Sequence, residues 1–493
     1  MNLRLIITII VTKIVIKLCR LMHWGGTTLS GKIAIRLYPN IAKAVSKDFR
    51  VIMVTGTNGK TTTTRIIGQI LAENGIPYIT NKSGANLVYG VISTFIESVD
   101  IKGKSSKNTA LIEIDEAAFK RMCDFIKPEI LVVTNFFRDQ LDRYGELYST
   151  LKKVTGGIEK SPSTKLILNA DDSLCASLGR GKTGNILYYG MEKKAYTGSN
   201  ESVNSDAMFC YYCKTKYDYE NHVYGHLGGF KCPNCGYSKP STDITCTGIE
   251  ELTSVYSKIA FSARARKIYK PINCMKKLDA EKRSYKGKNF VLSNSISDKT
   301  YHAKINLPGL YNIYNSLAAI SLGNMLGLPV DKTIEALGNF ECGFGRMETI
   351  VTNDKNIKLI LVKNPTGFNQ VIDYLLTEEK NIQLAFLIND KYADGTDISW
   401  LWDVDFEKLQ HIQEKTDNIY TSGIRAEDMA LRLKYAGIFT DKISVIRNYS
   451  DLIDKGLERT SPGHSFYILP TYTAMLDIRN VLRKKFGLKE FWK

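Results

Sequence analysis

The sequence predicts an α/β protein: a central phosphate-loop domain with an inserted four-cysteine ribbon, followed by a second, Rossmann-like α/β domain. Three observations predict it. Arg50–Val54 is a short β-branched apolar run, Gly56-Thr57-Asn58-Gly59-Lys60-Thr61 follows, and Thr62–Asn74 then carries Ile66, Ile67, Ile70 and Leu71 at helical spacing. Cys210-x2-Cys213 and Cys232-x2-Cys235 form two knuckles inside that region. Beyond Arg346, apolar strand-like runs again end in polar clusters. The 493 residues suit about three domains, of which 46–348 and 349–493 are read as the two α/β units, 1–45 as a lead-in and 205–240 as the ribbon.

Composition narrows the class. A net charge of +17 and a pI near 9.2 favour an anionic partner, whether nucleic acid, membrane surface or phosphorylated substrate. Ten cysteines in so long a chain, four of them in CxxC pairs, read as cytosolic and metal-binding, not as a secreted disulfide framework.

Leu3–Met22 is strongly apolar, but Lys13, Lys17 and Arg20 interrupt it on one helix face, and no uninterrupted span of ~18 apolar residues exists. A cleavage site of small residues does not follow. Two readings stand: a basic amphipathic helix on the inner membrane surface, or an ordinary docked helix.

In the strand–loop–helix unit, glycines let backbone N–H groups approach an anion, and the helix N-terminus adds positive potential. Lys60 is placed to reach terminal phosphates and Thr61 to meet Mg²⁺. Val54 stands where the usual pattern has its first glycine, so the loop is a shortened variant. Leu111–Ile114, Ile130–Thr134 and Leu166–Leu168 are further strands, and the residues that end them put Glu113, Asn135 and Asn169 where a bound nucleotide would face them.

Four thiolates in two CxxC knuckles, eighteen residues apart, suit a tetrahedral Zn²⁺ with no open position, hence a structural metal. Tyrosines and glycines between the knuckles predict a small β ribbon; its few lysines, offset by Asp218 and Glu220, argue against a nucleic-acid partner. Cys19, Cys123, Cys175, Cys246, Cys274 and Cys342 show no pairing pattern and read as buried thiols. The basic stretch from Ala263 to Lys304 reads as a solvated hairpin. In the last domain, Lys358–Val362, Gln383–Ile388, Asn418–Thr421 and Phe466–Leu469 are strands.

GTNGKTT at Gly56–Thr62 resembles the ATP loop of the Mur ligases, which join amino acids to peptidoglycan precursors through an acyl phosphate. Thr134-Asn135 with Asp139-Gln140-Leu141-Asp142, Asn169-Ala170-Asp171-Asp172, Gly309-Leu310-Tyr311-Asn312-Ile313-Tyr314-Asn315 and Gly345-Arg346-Met347-Glu348 are similar to further family motifs in the same order. Gln140 and Tyr311 replace the family's histidines, and the carbamylated lysine of several members has no placed counterpart. The resemblance implies that Gly56, Thr57, Asn58, Gly59, Lys60, Thr61, Thr62, Asn135, Asn312 and Arg346 bind ATP, with Asn312 on the adenine, and that Thr61 and Glu113 hold Mg²⁺.

The stretch from Asn389 to Glu407, the four-cysteine insertion and Gly25–Ala34 resemble one branch of that family, the MurT-type ligase-like subunits of lipid II isoglutaminyl synthase. This implies a GatD-type glutaminase partner, ammonia as nucleophile, and amidation of the D-glutamate α-carboxylate of lipid II to D-isoglutamine. It also implies that Asp397 completes the partner's Cys–His pair, while Lys60 and Glu113 serve the ligase reaction. On the residues alone, Asp397 is a helix cap before Ile398 and Asp394 a turn residue. The alternative is a stand-alone Mur or folylpolyglutamate-type ligase that adds an amino acid; Lys363-Asn364-Pro365, where such ligases often have His-Asn-Pro, argues against it.

Overall fold

The structure, a computed structural model, describes residues 3–22, 27–81, 84–139, 147–182, 184–196, 206–264, 299–341, 346–352 and 354–488. Gln140, Leu141, Asp142, Cys274, Cys342, Gly345 and most of the basic stretch (265–298) lie outside them, as does the Arg346 side chain.

Strands β1 (Arg50–Thr55), β2 (Tyr78–Thr80), β3 (Thr109–Glu113), β4 (Ile130–Val133), β5 (Lys165–Asn169) and β6 (Ile186–Met191) all pair in parallel. The sheet is continued by β9 (Ile244–Leu252), β10 (Ser257–Ala263) and β11 (Thr300–Ile305), in the order β11-β10-β9-β6-β5-β4-β1-β3-β2. Strand β9 is parallel to β6, and β10 is antiparallel to both β9 and β11. Strand β1 lies between β3 and β4, so the order reverses at the strand that feeds the glycine loop, which is where open α/β sheets bind ligands. Strands buried on both faces explain the continuous apolar runs. Val51 and Met53 of β1 enter one core, Ile52 and Val54 the other.

The predicted helix after the loop runs Lys60–Glu73 and ends before Gly75, which takes φ +67°. Against it packs Leu310–Met325, a helix buried nearly all round. The N-terminal helix Leu3–Leu21 is docked: Ile9, Ile16 and Cys19 are buried, and Arg20 pairs with Glu97 at 2.5 Å. Its outer face is nevertheless apolar, with Leu3, Ile7, Ile10, Ile14, Leu18 and Leu21 exposed. Among the described residues, no helix is long and apolar enough to cross a membrane.

Between β6 and β9, the predicted ribbon is an antiparallel pair, β7 (Asp218–Tyr224) and β8 (Leu227–Lys231). A second sheet holds β12 (Arg346–Thr352), β13 (Lys355–Ile360), β14 (Ile382–Leu387), β15 (Thr416–Ser422), β16 (Ile443–Val445) and β17 (Ser465–Pro470), ordered β12-β13-β17-β14-β15-β16. It is parallel except for the β12–β13 hairpin, and helices cover both faces. Leu384 and Phe386 face one core, Ala385 and Leu387 the other.

A candidate active site between the two sheets

The loop after β1 is shaped by two glycines, Gly56 at φ +121° and Gly59 at φ +82°. Gly59 is also pressed against Asn315, whose Oδ1 would stand 2.1 Å from an added Cβ. Beneath the loop, Lys60 is buried and ion-paired with Glu116 at 3.0 Å, and it donates to the carbonyls of Gly56 (2.5 Å) and Thr57 (3.2 Å). Burial pulls the Lys60 pKa down, but Glu116, then Asp115, Glu113 and Asp139, outweigh it and hold the ammonium above its ordinary value.

Two residues assigned to Mg²⁺ meet. The Thr61 hydroxyl donates to Glu113 Oε2 at 2.7 Å. Glu113 is fixed at the end of β3 because its backbone N–H donates to Asn81 Oδ1 (2.9 Å) and its carbonyl accepts from Asn81 Nδ2 (2.8 Å). A hydroxyl and a carboxylate in contact are the hard oxygen donors that Mg²⁺ takes, with other positions left to water and phosphate.

Asn135 lines the cleft and clasps the loop, accepting from Asn58 N–H at 2.9 Å and donating to the Asn58 carbonyl at 3.2 Å. Asn169 does not face the cleft. It is fully buried and donates to the Thr134 carbonyl at 3.2 Å, because the strand end it occupies is covered by the ribbon. Asn312 lines the cleft, donates to the Pro308 carbonyl (2.7 Å) and accepts from Asn315 (3.1 Å). Asn315 in turn accepts from Thr63 at 3.2 Å, which ties this helix to the loop helix. Thr57, Asn58, Gly59, Lys60 and Thr62 line the same cleft. Arg346 opens β12 beside it, and the neighbouring Met347 (φ +66°) turns its sulfur to accept from Tyr311 at 3.1 Å.

The far wall comes from the second sheet. Lys363 is ion-paired with Asp139 and donates to the Thr57 carbonyl at 3.2 Å. Asn364 Nδ2 donates to Asn58 Oδ1 at 3.0 Å, while its own Oδ1 caps the helix Pro365–Leu376 through Gly367 N–H at 2.8 Å. Sequence reasoning assigned no site role to Glu116, Asn81, Asn315, Lys363 or Asn364. The available signal was position: Glu116 lies three residues after Glu113, and Lys363-Asn364 directly follows an apolar run.

The four cysteines converge, with all four Sγ within 4.8 Å of one another. Cys210–Cys235 and Cys213–Cys232 are 3.5 and 3.4 Å apart, too far for disulfides and close to the edge of a tetrahedron of ~2.3 Å Zn–S bonds. After each knuckle the chain turns through a left-handed residue, Lys214 (φ +62°) and Gly236 (φ +73°). The donor set therefore fits zinc. Cys19, Cys123, Cys175 and Cys246 are buried free thiols, as expected.

Asp397 lies elsewhere, in the loop that follows β14, exposed, with Oδ1 accepting from Ser399 N–H at 2.8 Å. Asp394 is buried and accepts from Thr473 N–H at 2.7 Å and from its hydroxyl at 2.5 Å, so it fastens the turn to the C-terminal helix Tyr472–Phe486. Burial, the largest influence, lifts the Asp394 carboxyl above its usual value.

Comparison with known proteins agrees with this layout. Residues 54–234 match the Mur ligase middle domain, and residues 361–475 match the MurT ligase C-terminal family. The chain is 34% identical over 460 residues to the Lipid II isoglutaminyl synthase (glutamine-hydrolyzing) subunit MurT of Streptococcus pneumoniae (strain ATCC BAA-255 / R6), covering 93% of each. Against the Staphylococcus aureus (strain COL) protein of the same description it is 29% identical over 476 residues, 96% of this chain and 97% of that one. A MurF structure from Acinetobacter baumannii superposes with TM-score 0.61 at 16% identity, covering 93% of this chain and 81% of that one. A pseudomurein peptide ligase type C from Methanothermus fervidus gives 0.59 at 20% identity, covering 89% and 79%; these two likenesses speak to the fold alone. On the full-length similarity to those curated subunits, the chain belongs to the MurT family.

Proposed function

We propose that this chain is the ATP-dependent amidating subunit of a lipid II isoglutaminyl synthase. It activates the D-glutamate α-carboxylate of the lipid II stem peptide as an acyl phosphate, and ammonia from a GatD-type glutaminase subunit displaces the phosphate. The observation that carries this reading is the full-length similarity to MurT subunits, joined to a cleft whose glycine loop, Lys60 and Thr61–Glu113 pair suit a nucleoside triphosphate.

A carboxylate is a poor electrophile until it is phosphorylated, so the site must hold a triphosphate and neutralise charge as phosphate moves. Backbone N–H groups of Gly56–Thr61 face the phosphates in this reading. Lys60, held protonated, exchanges its two loop carbonyls for phosphate oxygens while Glu116 keeps it in place. Thr61 and Glu113 would hold Mg²⁺, which when bound supplies charge neutralisation on the β- and γ-phosphates. Asn135, Asn312 and Arg346 serve the rest of the nucleotide. Lys363, reaching the loop from the second sheet, adds a second cation to the closed cleft. The four cysteines hold a structural zinc. The domain limits 46–348 and 349–493, with the ribbon at 205–240, are part of this reading.

Asp397 belongs to the partner's chemistry: exposed and fixed by Ser399, it orients the histidine of the glutaminase Cys–His pair. In this reading the protein works at the inner face of the cell membrane, and the apolar outer face of the N-terminal helix supports that. No nucleic-acid partner is required.

The test is amidation of lipid II by the purified chain with ammonium or glutamine, with and without a GatD-type subunit. Ammonium should suffice alone, and glutamine should need the partner. Coupling of an amino acid without any partner would instead establish the stand-alone ligase.

A further inference from the structure

The four-cysteine ribbon reaches into the cleft. Its strands turn at Gly225-His226, and this turn is packed against the central sheet. His226 is fully buried, its ring 4.6 Å from that of Phe137 and its Nε2 3.3 Å from Asp172 Oδ1. Phe137 in turn donates its N–H to Thr57 Oγ1 at 3.0 Å, so a single residue separates the turn from the glycine loop. Tyr224, the last residue of β7, stacks on Phe137 (centroids 6.0 Å apart, planes at 19°) and meets Tyr314 edge-on (5.8 Å, 82°). It lines the cleft together with Asn135, Tyr311, Asn312 and Met347. At Gly225 (φ +55°) an added Cβ would stand 2.9 Å from Phe137 and 3.5 Å from Thr366, so the turn also touches the second sheet's first helix.

The ribbon is also anchored to the residues that follow β5. Gly228 N–H donates to the Asp171 carbonyl at 2.9 Å, and Lys239 is ion-paired with the Asp171 carboxylate, which also accepts from Tyr314 at 2.7 Å. Tyr237 donates to the Ser173 carbonyl at 2.7 Å. The two cysteine knuckles flank the hairpin in sequence, Cys210 and Cys213 before it and Cys232 and Cys235 after it. The hairpin is thus held between the four-cysteine knot and the cleft, with an aromatic ring at its working end.

We propose that Tyr224 is a nucleotide-binding residue, forming the aromatic wall at the base end of the cleft, and that the four-cysteine knot sets nucleotide affinity by holding the hairpin that carries it. This rests on the reading that the cleft binds ATP. The phosphate end is polar and built from Gly56–Thr61. Tyr224, Tyr311, Met347 and Ile360 add an aromatic and apolar lining to the same cleft, a surface suited to a flat heterocycle. Stacking on one aromatic face is lost with the ring and kept by another ring of the same size, so a tyrosine-to-phenylalanine change is the control.

The experiment titrates a fluorescent ADP analogue carrying a methylanthraniloyl group into full-length protein: wild type, Tyr224→Ala, Tyr224→Phe, Lys60→Ala and Cys235→Ser. Circular dichroism and bound-metal content are read on each. Tyr224→Ala should weaken binding about tenfold with an unchanged fold, and Tyr224→Phe should stay within about twofold of wild type. Cys235→Ser, which alters the exposed knuckle cysteine, should lose metal and weaken binding by the same factor as Tyr224→Ala, with no further loss in the double variant. Wild-type affinity in Tyr224→Ala would overturn the assignment, and wild-type affinity in a metal-free Cys235→Ser protein would overturn the link to the knot. If wild type binds and Lys60→Ala does not, the ATP reading stands whatever Tyr224 does; if wild type binds no nucleotide, both fall.

Discussion

Asn364 Nδ2 donates to Asn58 Oδ1 at 3.0 Å, joining the first helix of the second sheet to the tip of the glycine loop across 306 positions of sequence. The same asparagine caps its own helix through Oδ1, which also accepts from Asn58 Nδ2 at 3.4 Å, so only Nδ2 is given wholly to the loop contact. Asn364→Asp keeps the capping oxygen and removes the donor. We expect an unchanged melting temperature and a kcat/KM for ATP-dependent amidation lower by about tenfold, equivalent to ~1.4 kcal/mol. Asn364→Ala should also lose the cap, about 1 kcal/mol of stability. Equal activity in wild type and Asn364→Asp would show that the contact does not matter to catalysis.

The Thr61–Glu113 contact makes a metal prediction. If the pair holds Mg²⁺, Glu113→Gln removes the anionic donor and leaves a neutral one of the same shape. The Mg²⁺ concentration for half-maximal activity should rise about tenfold or more, with partial rescue at high Mg²⁺. A Mg²⁺ profile identical to wild type would assign Glu113 to bracing the loop alone.

Gly59 tests the loop geometry. A methyl group there would meet Asn315 Oδ1 at 2.1 Å and force a side chain into φ +82°. Gly59→Ala should therefore abolish nucleotide binding to the loop while the cores on either side of the sheet still fold. The comparison of nucleotide titration with near-UV circular dichroism separates the two. Retained affinity would show that the loop adapts.

Much of this site could be read from the sequence because its signals are local. The strand from Arg50, the glycine loop and the helix to Glu73 lie within 24 consecutive residues, and the two CxxC knuckles mark themselves. Strand ends at Glu113 and Asn135 were legible because apolar runs stop there. That logic failed at Asn169, whose strand end is covered by the ribbon. Contacts that join distant segments left no trace. Nothing in the spacing pairs Lys363 with Asp139, or Tyr224 with Phe137, because a cleft between two sheets carries no periodicity. The N-terminal helix is docked through Ile9 and Ile16, as one of its two readings had it, and its outer face is apolar.

If Asp397 orients the partner's histidine, it divides the two nitrogen sources. Its carboxylate is exposed and its Ser399 contact is one an asparagine side chain can also make, so Asp397→Asn should leave the fold intact. With a GatD-type partner present, glutamine-dependent amidation should fall by about 10²-fold or more, as when the orienting carboxylate of a triad is neutralised. Ammonium-dependent amidation should stay near wild type. Equal loss with both donors would place Asp397 in the ligase reaction, and no loss would leave it a cap.

Metal removal tests the ribbon as a folding unit. Its own apolar core is small, built from Cys210, Tyr217, Phe230 and Cys232 with Ala176 of the main domain, and a cluster of that size does not offset the entropy of ordering some thirty residues. Structural zinc in comparable small sites contributes roughly 10–16 kcal/mol, which would make the metal the main source of the ribbon's stability. Chelation with thiol-reactive release should therefore free one zinc per chain and open residues 206–240 to limited proteolysis. The nine-stranded sheet, whose two large cores contain none of the four knuckle cysteines, should remain protected from exchange. The predicted signature is an early melting transition that appears only in the metal-free protein. Full zinc loss with an unchanged melting profile and unchanged cleavage would mean that tyrosine packing, such as Tyr217 on Phe230 at 5.2 Å, holds the ribbon without metal.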